Sequence, residues 1–213
     1  MSWCSAPKLR PNKWLLVFDL ESTCGTSVPW YEKEIIECRI LVVSVETRKR
    51  ISEFHSYVRA GTFSDTLNPM CVQLTGVTQD QLNSAPTFVN FFKSMDAFCE
   101  PFKQEGILVT VDDWDLFTML PAQCLRYNYE LPTFYRRYLN LRTIMGEVFG
   151  KRPEDVTAMF HQLGMPLACY MSSGLEYGRH IAAIVEKILA KGYIFETNSQ
   201  NKKRLNGSSK DDY

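Results

Sequence analysis

Trp14-Leu15-Leu16-Val17-Phe18-Asp19-Leu20-Glu21 is a run of five apolar residues that ends in two carboxylates two positions apart. The continuous apolar stretch predicts a strand over 14–19, buried on both faces at the centre of a sheet. Side chains alternate along a strand, so Asp19 and Glu21 point the same way at its end. Two such carboxylates are hard oxygen ligands for a divalent cation. The plainer alternative is a strand leaving the core, with polar residues where solvent begins. The rest of the chain decides between them by supplying partners or not.

Outward from this run, strands and helices alternate. Residues 34–44 (EIIECRILVVS) predict a second strand and 50–58 a third, joined by short connections into an antiparallel meander. Thr78 and Gln81 have the spacing of a capping box, and 87–104 carries Phe88, Phe91, Phe92, Met95, Phe98 and Phe102 at helical spacing. That aromatic stripe reads as core. Residues 107–111 form another short apolar strand, and Asp113 opens a further helix with acids in its first turn. Helices are predicted over 140–149, 153–163 and 174–191, with a last edge strand over 193–196. The order suits an α/β fold, a mixed sheet layered by helices. We divide the chain into an N-terminal extension (1–12), one folded domain (13–198) and a polar, disordered tail (199–213).

The 213 residues, 45% of them hydrophobic, suffice for one sizeable core. Lys plus Arg and Asp plus Glu both number 24, so no global charge announces nucleic acid or a membrane surface. An RNA role must rest on local patches, for which Arg48-Lys49-Arg50, Arg136-Arg137 between Tyr135 and Tyr138, and Lys202-Lys203-Arg204 are the candidates. With no signal-like apolar segment and no run approaching ~18 apolar residues, the expectation is an intracellular protein of the cytoplasm or nucleus, without a membrane partner. Seven cysteines without a C-x-x-C pair read as reduced thiols rather than a disulfide framework or zinc ribbon. The histidines His55, His161 and His180 are too scattered for a ligand cluster.

A second acidic group lies in Val109-Thr110-Val111-Asp112-Asp113-Trp114-Asp115. If its strand neighbours the first, three carboxylates converge at one end of the sheet, a site for Mg²⁺ or Mn²⁺. Alternatively these aspartates cap a helix N-terminus and favour its dipole. One aspartate can cap while another binds metal.

Taken together, several segments resemble the DEDDh 3′-to-5′ exonucleases, within them the subgroup typified by the RNA-interference-enhancing and histone-mRNA 3′-end exoribonucleases. They are Phe18-Asp19-Leu20-Glu21-Ser22-Thr23-Cys24, Lys33-Glu34-Ile35-Ile36-Glu37, Leu74-Thr75-Gly76-Val77-Thr78-Gln79-Asp80-Gln81, Trp114-Asp115, Leu163-Gly164-Met165 and Gly174-Leu175-Glu176-Tyr177-Gly178-Arg179-His180-Ile181-Ala182. The resemblance spans about residues 14–198. It implies an RNase H-like fold, a mixed five-stranded sheet flanked by helices. It also implies that Asp19, Glu21 and Asp115 are three of four metal-binding acids, and that Leu74, Thr75, Gly76 and Trp114 line a pocket for the 3′-terminal nucleotide of single-stranded RNA.

The last motif departs from the family. Its ending, His-x-Gly-Leu-Asp-Asp, laid without a gap puts Ser172 at the histidine and Tyr177 at the final aspartate. No Asp lies between Asp155 and Asp211, so no local slip recovers it. A phenol is neutral at pH 7 and cannot replace a carboxylate's charge. A serine hydroxyl is a poor general base, a loss that alone costs ~10²–10⁴ in rate. The site therefore predicts one metal ion or none. Three functions follow: an RNA 3′-end-binding or scaffold protein in a small-RNA or RNA-processing complex, with catalysis lost or weakened; an active exoribonuclease using Asp19, Glu21 and Asp115 with help from Glu176; or a protein–protein adaptor without nucleic acid.

Overall fold

The computed structural model describes residues 12–25, 28–61, 66–166 and 177–195. Five strands form one mixed sheet in the order β3-β2-β1-β4-β5. They are β1 (Trp14–Ser22), β2 (Ile35–Ser44), β3 (Lys49–Tyr57), β4 (Gly106–Thr110) and β5 (Tyr138–Asn140). β1 pairs antiparallel with β2, and β2 with β3, while β4 and β5 extend the sheet in parallel. The N-terminal meander is thus present, and β1 and β4 are neighbours as the three-acid arrangement requires.

Alternation along β1 sorts the core into two layers. Leu16, Phe18 and Leu20 face α3 (Phe88–Cys99) and α4 (Leu120–Arg126), where Phe88, Phe91, Phe92 and Met95 are fully buried. Leu15 and Val17 face the other way, onto α5 (Leu141–Phe149), α6 (Val156–Leu163) and α7 (Tyr177–Ala190). Asp19 and Glu21 continue this second register, so both carboxylates belong to the face that α7 covers. Two short helices, α1 (Pro69–Thr75) and α2 (Gln79–Ser84), lie between β3 and α3. Thr78 and Gln81 form the capping box read from sequence. Asn68 caps α1 through the Met70 N–H, and Gly76 ends it in the left-handed region at φ 73°.

Two readings need correction. The fifth strand is Tyr138–Asn140, where three residues align Tyr138 with Leu108 and Asn140 with Thr110 of β4. The predicted edge strand near the C-terminus does not form over 193–195: Phe195 is buried against the α7-side core and its carbonyl accepts from Asn12 Nδ2 at 3.1 Å. A three-residue strand is too short for periodicity to reveal, whereas Tyr193 and Phe195 mimic one by alternation while serving as a core plug. Of the basic patches, Arg50 pairs with Glu186 and Tyr135 is buried, its hydroxyl donating to Asp96. The third patch, the N-terminal extension up to residue 11 and the polar tail lie outside the described residues. Cys24, Cys38, Cys71, Cys99 and Cys124 are free thiols. No described helix is long and apolar enough to cross a membrane.

Gly106 opens β4 under close contact: a Cβ there would sit 2.5 Å from the Phe102 carbonyl oxygen and 2.8 Å from Leu16 Cδ1. Backbone cannot yield as a side-chain tip does. Gly106→Ala is expected to destabilise the fold by about 1–3 kcal/mol, read as a lower midpoint in urea with unchanged slope.

Candidate functional site

The site grows from the end of β1. Asp19 lies opposite Arg39 of β2, and Glu21 opposite Glu37. Cross-strand partners share a face, so two acids meet an alternating Glu-x-Arg on the neighbouring strand. Asp19, Glu37 and Arg39 are all buried. Arg39 Nη2 is 3.2 Å from Glu37 Oε1 and its Nε 3.8 Å from Glu53, while His55 Nε2 also meets Glu37 Oε1. α7 closes on this network through Gly178, where a Cβ would lie 2.9 Å from Arg39 Cδ.

The third acid arrives from β4. Trp114–Met119 form a π-helical turn before α4 that carries Asp115, and the Leu20 backbone N–H of β1 donates to its carboxylate. The neighbouring aspartates have structural work. Asp112 accepts from the Trp114 N–H at 2.9 Å, and Asp113 accepts from Tyr138 Oη at 2.9 Å and Asn140 Nδ2 at 3.0 Å, tying the turn to β5.

Crowding of like charge marks the cluster. Burial pushes Asp19 up to about 7, opposed by the Arg39 guanidinium and helped by Glu37. Glu21 rises to about 8 through burial, Asp19 and Glu37, again with Arg39 opposing. Asp115 is held well above the usual carboxylate range by burial, Asp19, Asp112 and Glu21, with the Leu20 N–H opposing. Glu21 is raised by Asp19, and Asp115 by both, so a hard divalent cation is the group whose charge would relieve all three. The donor chemistry fits such an ion. As the side chains stand, no group of three or more His, Cys, Asp or Glu among the described residues is arranged to hold one.

Tyr177 opens α7 and comes to the same place. Tyr177 is 37% exposed, yet partial burial and then Asp19, Asp115, Glu21 and Asp112 push its phenol up, so a neutral hydroxyl lies within electrostatic reach of the cluster. Ser172 and Glu176 lie outside the described residues. His180 stands edge-on to Phe160 at 5.9 Å.

The four residues expected to line a nucleotide pocket divide in two. Leu74 is 60% exposed at the end of α1, and Trp114 36% exposed on the π-helical turn. Thr75 is buried, and its hydroxyl donates to the Cys71 carbonyl and accepts from the Val77 N–H. Together with Gly76 it shapes the turn rather than presenting a side chain to solvent. Lys33 Nζ stands 5.2 Å above the Trp114 ring. The sequence alone gives Arg39 no place in the site, and puts Lys33 and Glu37 in a resembling segment without a role. The signal for Arg39 was present, as a lone cation leading into the apolar run Ile40-Leu41-Val42-Val43 of a central strand must be buried and therefore paired.

Comparison with known proteins places this geometry. The exonuclease family model (RNase_T) matches residues 16–167. ERI1 exoribonuclease 3 of Homo sapiens is 29% identical over 196 residues, covering 88% of this chain and 57% of that protein. ERI1 exoribonuclease 2 of Danio rerio is also 29% identical, over 84% of this chain and 35% of its own length. The chain thus spans between about a third and just over half of these curated relatives. Among solved structures, a full-length 3′-exonuclease superposes with a TM-score of 0.80 at 28% identity, covering 89% of this chain and 87% of that one. The nuclease domain of 3′hExo, a DEDDh family member bound to rAMP, gives 0.79 at 28%, covering 88% and 98%. A 3′-exonuclease in a structure of 3′-end-specific recognition of the histone mRNA stem-loop gives 0.80 at 27%, covering 89% and 87%. The fold is that of the DEDDh, RNase H-like exonucleases.

Proposed function

Because the chain belongs to the exonuclease family, we propose that it engages the unpaired 3′ end of RNA in a small-RNA or RNA-processing assembly, with hydrolysis lost or strongly reduced. What supports this reading is the position of Tyr177, a side chain without negative charge, at the head of α7 within electrostatic reach of Asp19, Glu21 and Asp115. In the proposed site these three carboxylates would hold Mg²⁺ or Mn²⁺. When two such ions are bound, they stabilise the attacking and leaving oxygens of a phosphodiester displacement. Tyr177 contributes no negative charge toward the second ion, and Ser172 offers no base of suitable pKa for a water. Leu74 and Trp114 remain as apolar walls for a terminal base, worth about 1–3 kcal/mol where stacking is good. Binding thereby outlasts cleavage.

The alternative of an active exoribonuclease rests on the gathering of Asp19, Glu21 and Asp115 at one end of the sheet. Single-stranded 3′-labelled RNA with Mn²⁺ separates the two. Degradation that disappears in Asp19→Asn overturns the proposal. The expected result is no degradation together with binding whose affinity falls with salt, by a log–log slope of about −0.7 per phosphate contacted. No binding even at low salt would leave the adaptor reading alone standing.

A further inference from the structure

We propose that the exposed turn at Trp30–Glu32, with Lys33 and Arg126, is a second base-stacking platform that receives the nucleotides just upstream of the 3′-terminal one; this rests on the RNA reading above. The turn follows β1 and precedes β2, and buries none of its three residues. Trp30 is 50% exposed and Tyr31 58%, and their rings meet edge to face at 6.0 Å. Two adjacent aromatic side chains left in water are not core, and their flat apolar faces suit a partner of the same shape.

The turn is held in place rather than loose. Arg126 of α4 donates from Nη2 to the Tyr31 carbonyl at 2.6 Å and from Nη1 to the Lys33 carbonyl at 3.0 Å. Lys33 then reaches across to the ring of Trp114, the residue beside Asp115. The aromatic turn is therefore continuous with the wall of the acid cluster through a cation. Exposed aromatic faces beside an ammonium group match a single strand, whose bases stack with sequence tolerance and whose phosphates meet the cation, while Arg126 holds the turn itself. Glu32 sits in the same turn and lines the neighbouring cavity with Thr23, Cys24 and Glu34.

The test compares adenosine monophosphate with an eight-nucleotide single-stranded RNA, using wild-type protein, Trp30→Ala, Tyr31→Ala and Trp30→Phe. Because these side chains are exposed, thermal unfolding should be unchanged. Affinity for the octamer is expected to fall about 5- to 100-fold in each alanine variant, with Trp30→Phe near wild type and mononucleotide affinity unaltered. Octamer binding unchanged in both alanine variants overturns the platform, as does an equal loss for octamer and mononucleotide, which marks a merely structural role. If octamer binding is unchanged while a co-purifying protein is lost, the turn belongs to a protein interface and the inference fails. Wild-type protein that binds neither ligand defeats the RNA reading itself and this inference with it, a result distinct from every outcome in which wild type binds.

Discussion

Tyr177→Asp combined with Ser172→His is expected to raise the rate of single-stranded RNA degradation in Mn²⁺ by on the order of 10²–10⁴. Tyr177 stands at the head of α7 within the electrostatic reach of Asp19, Glu21 and Asp115, so an aspartate there adds a fourth oxygen donor to the same cluster. Its charge would be costly in isolation, since buried Asp19 and half-buried Glu21 and Asp115 already crowd there. A divalent ion reverses that sign, and the substitution therefore tightens Mn²⁺ binding while it destabilises the metal-free fold. Histidine at 172 supplies the base that serine lacks. Initial rates on 3′-labelled RNA check the prediction, with Asp19→Asn added to the double variant returning the rate to baseline. Tyr177→Phe should leave the wild-type rate where it was, because the phenol contributes no charge. Wild-type activity equal to that of the double variant would show that Tyr177 is no impediment.

Much of this site was legible because β1 is ruled by a simple alternation. An apolar run ending in Asp-x-Glu is a central strand, and period two alone puts both carboxylates on one face. Placement of Asp115 was legible only conditionally, as it depended on β4 lying beside β1. The π-helical turn that carries Asp115 has no sequence period of its own, and so stayed hidden. β5 was hidden for the same reason, being three residues long. Arg39 shows a different failure. Its residue type was conspicuous, but its meaning came from pairing across two strands, with Asp19 on one side and His55 on the other. Local pattern gives burial, whereas charge neutralisation is a property of the assembled sheet.

Replacing Arg39 by leucine is expected to cost about 3–5 kcal/mol at pH 8, because it strands Glu37 and Asp19 as buried charges without a cation. At roughly 2–4 °C per kcal/mol for a chain of this size, the melting temperature should fall by about 6–20 °C. The pH dependence gives the sharper test. Asp19 and Glu21 have folded-state values raised to about 7 and about 8. Between their ordinary range near ~4 and those values, the folded chain binds more protons than the unfolded one. Stability from these two groups is therefore fully present at low pH and declines as pH rises toward 8. Arg39 opposes both shifts, so its removal moves them further upward and steepens the decline. Wild-type protein in a chelator should then melt higher at pH 5 than at pH 8 as far as this cluster is concerned, and Arg39→Leu should widen that gap. Asp19→Asn should narrow it and raise stability at pH 8 by about 1–3 kcal/mol, since it removes one buried charge and its repulsion. Combined with Arg39→Leu it should recover part of the loss, as expected for residues that face each other across the ladder. A small loss that does not vary between pH 5 and pH 8 would mean that Arg39 is held by packing against Gly178 and Leu41 rather than by its charge.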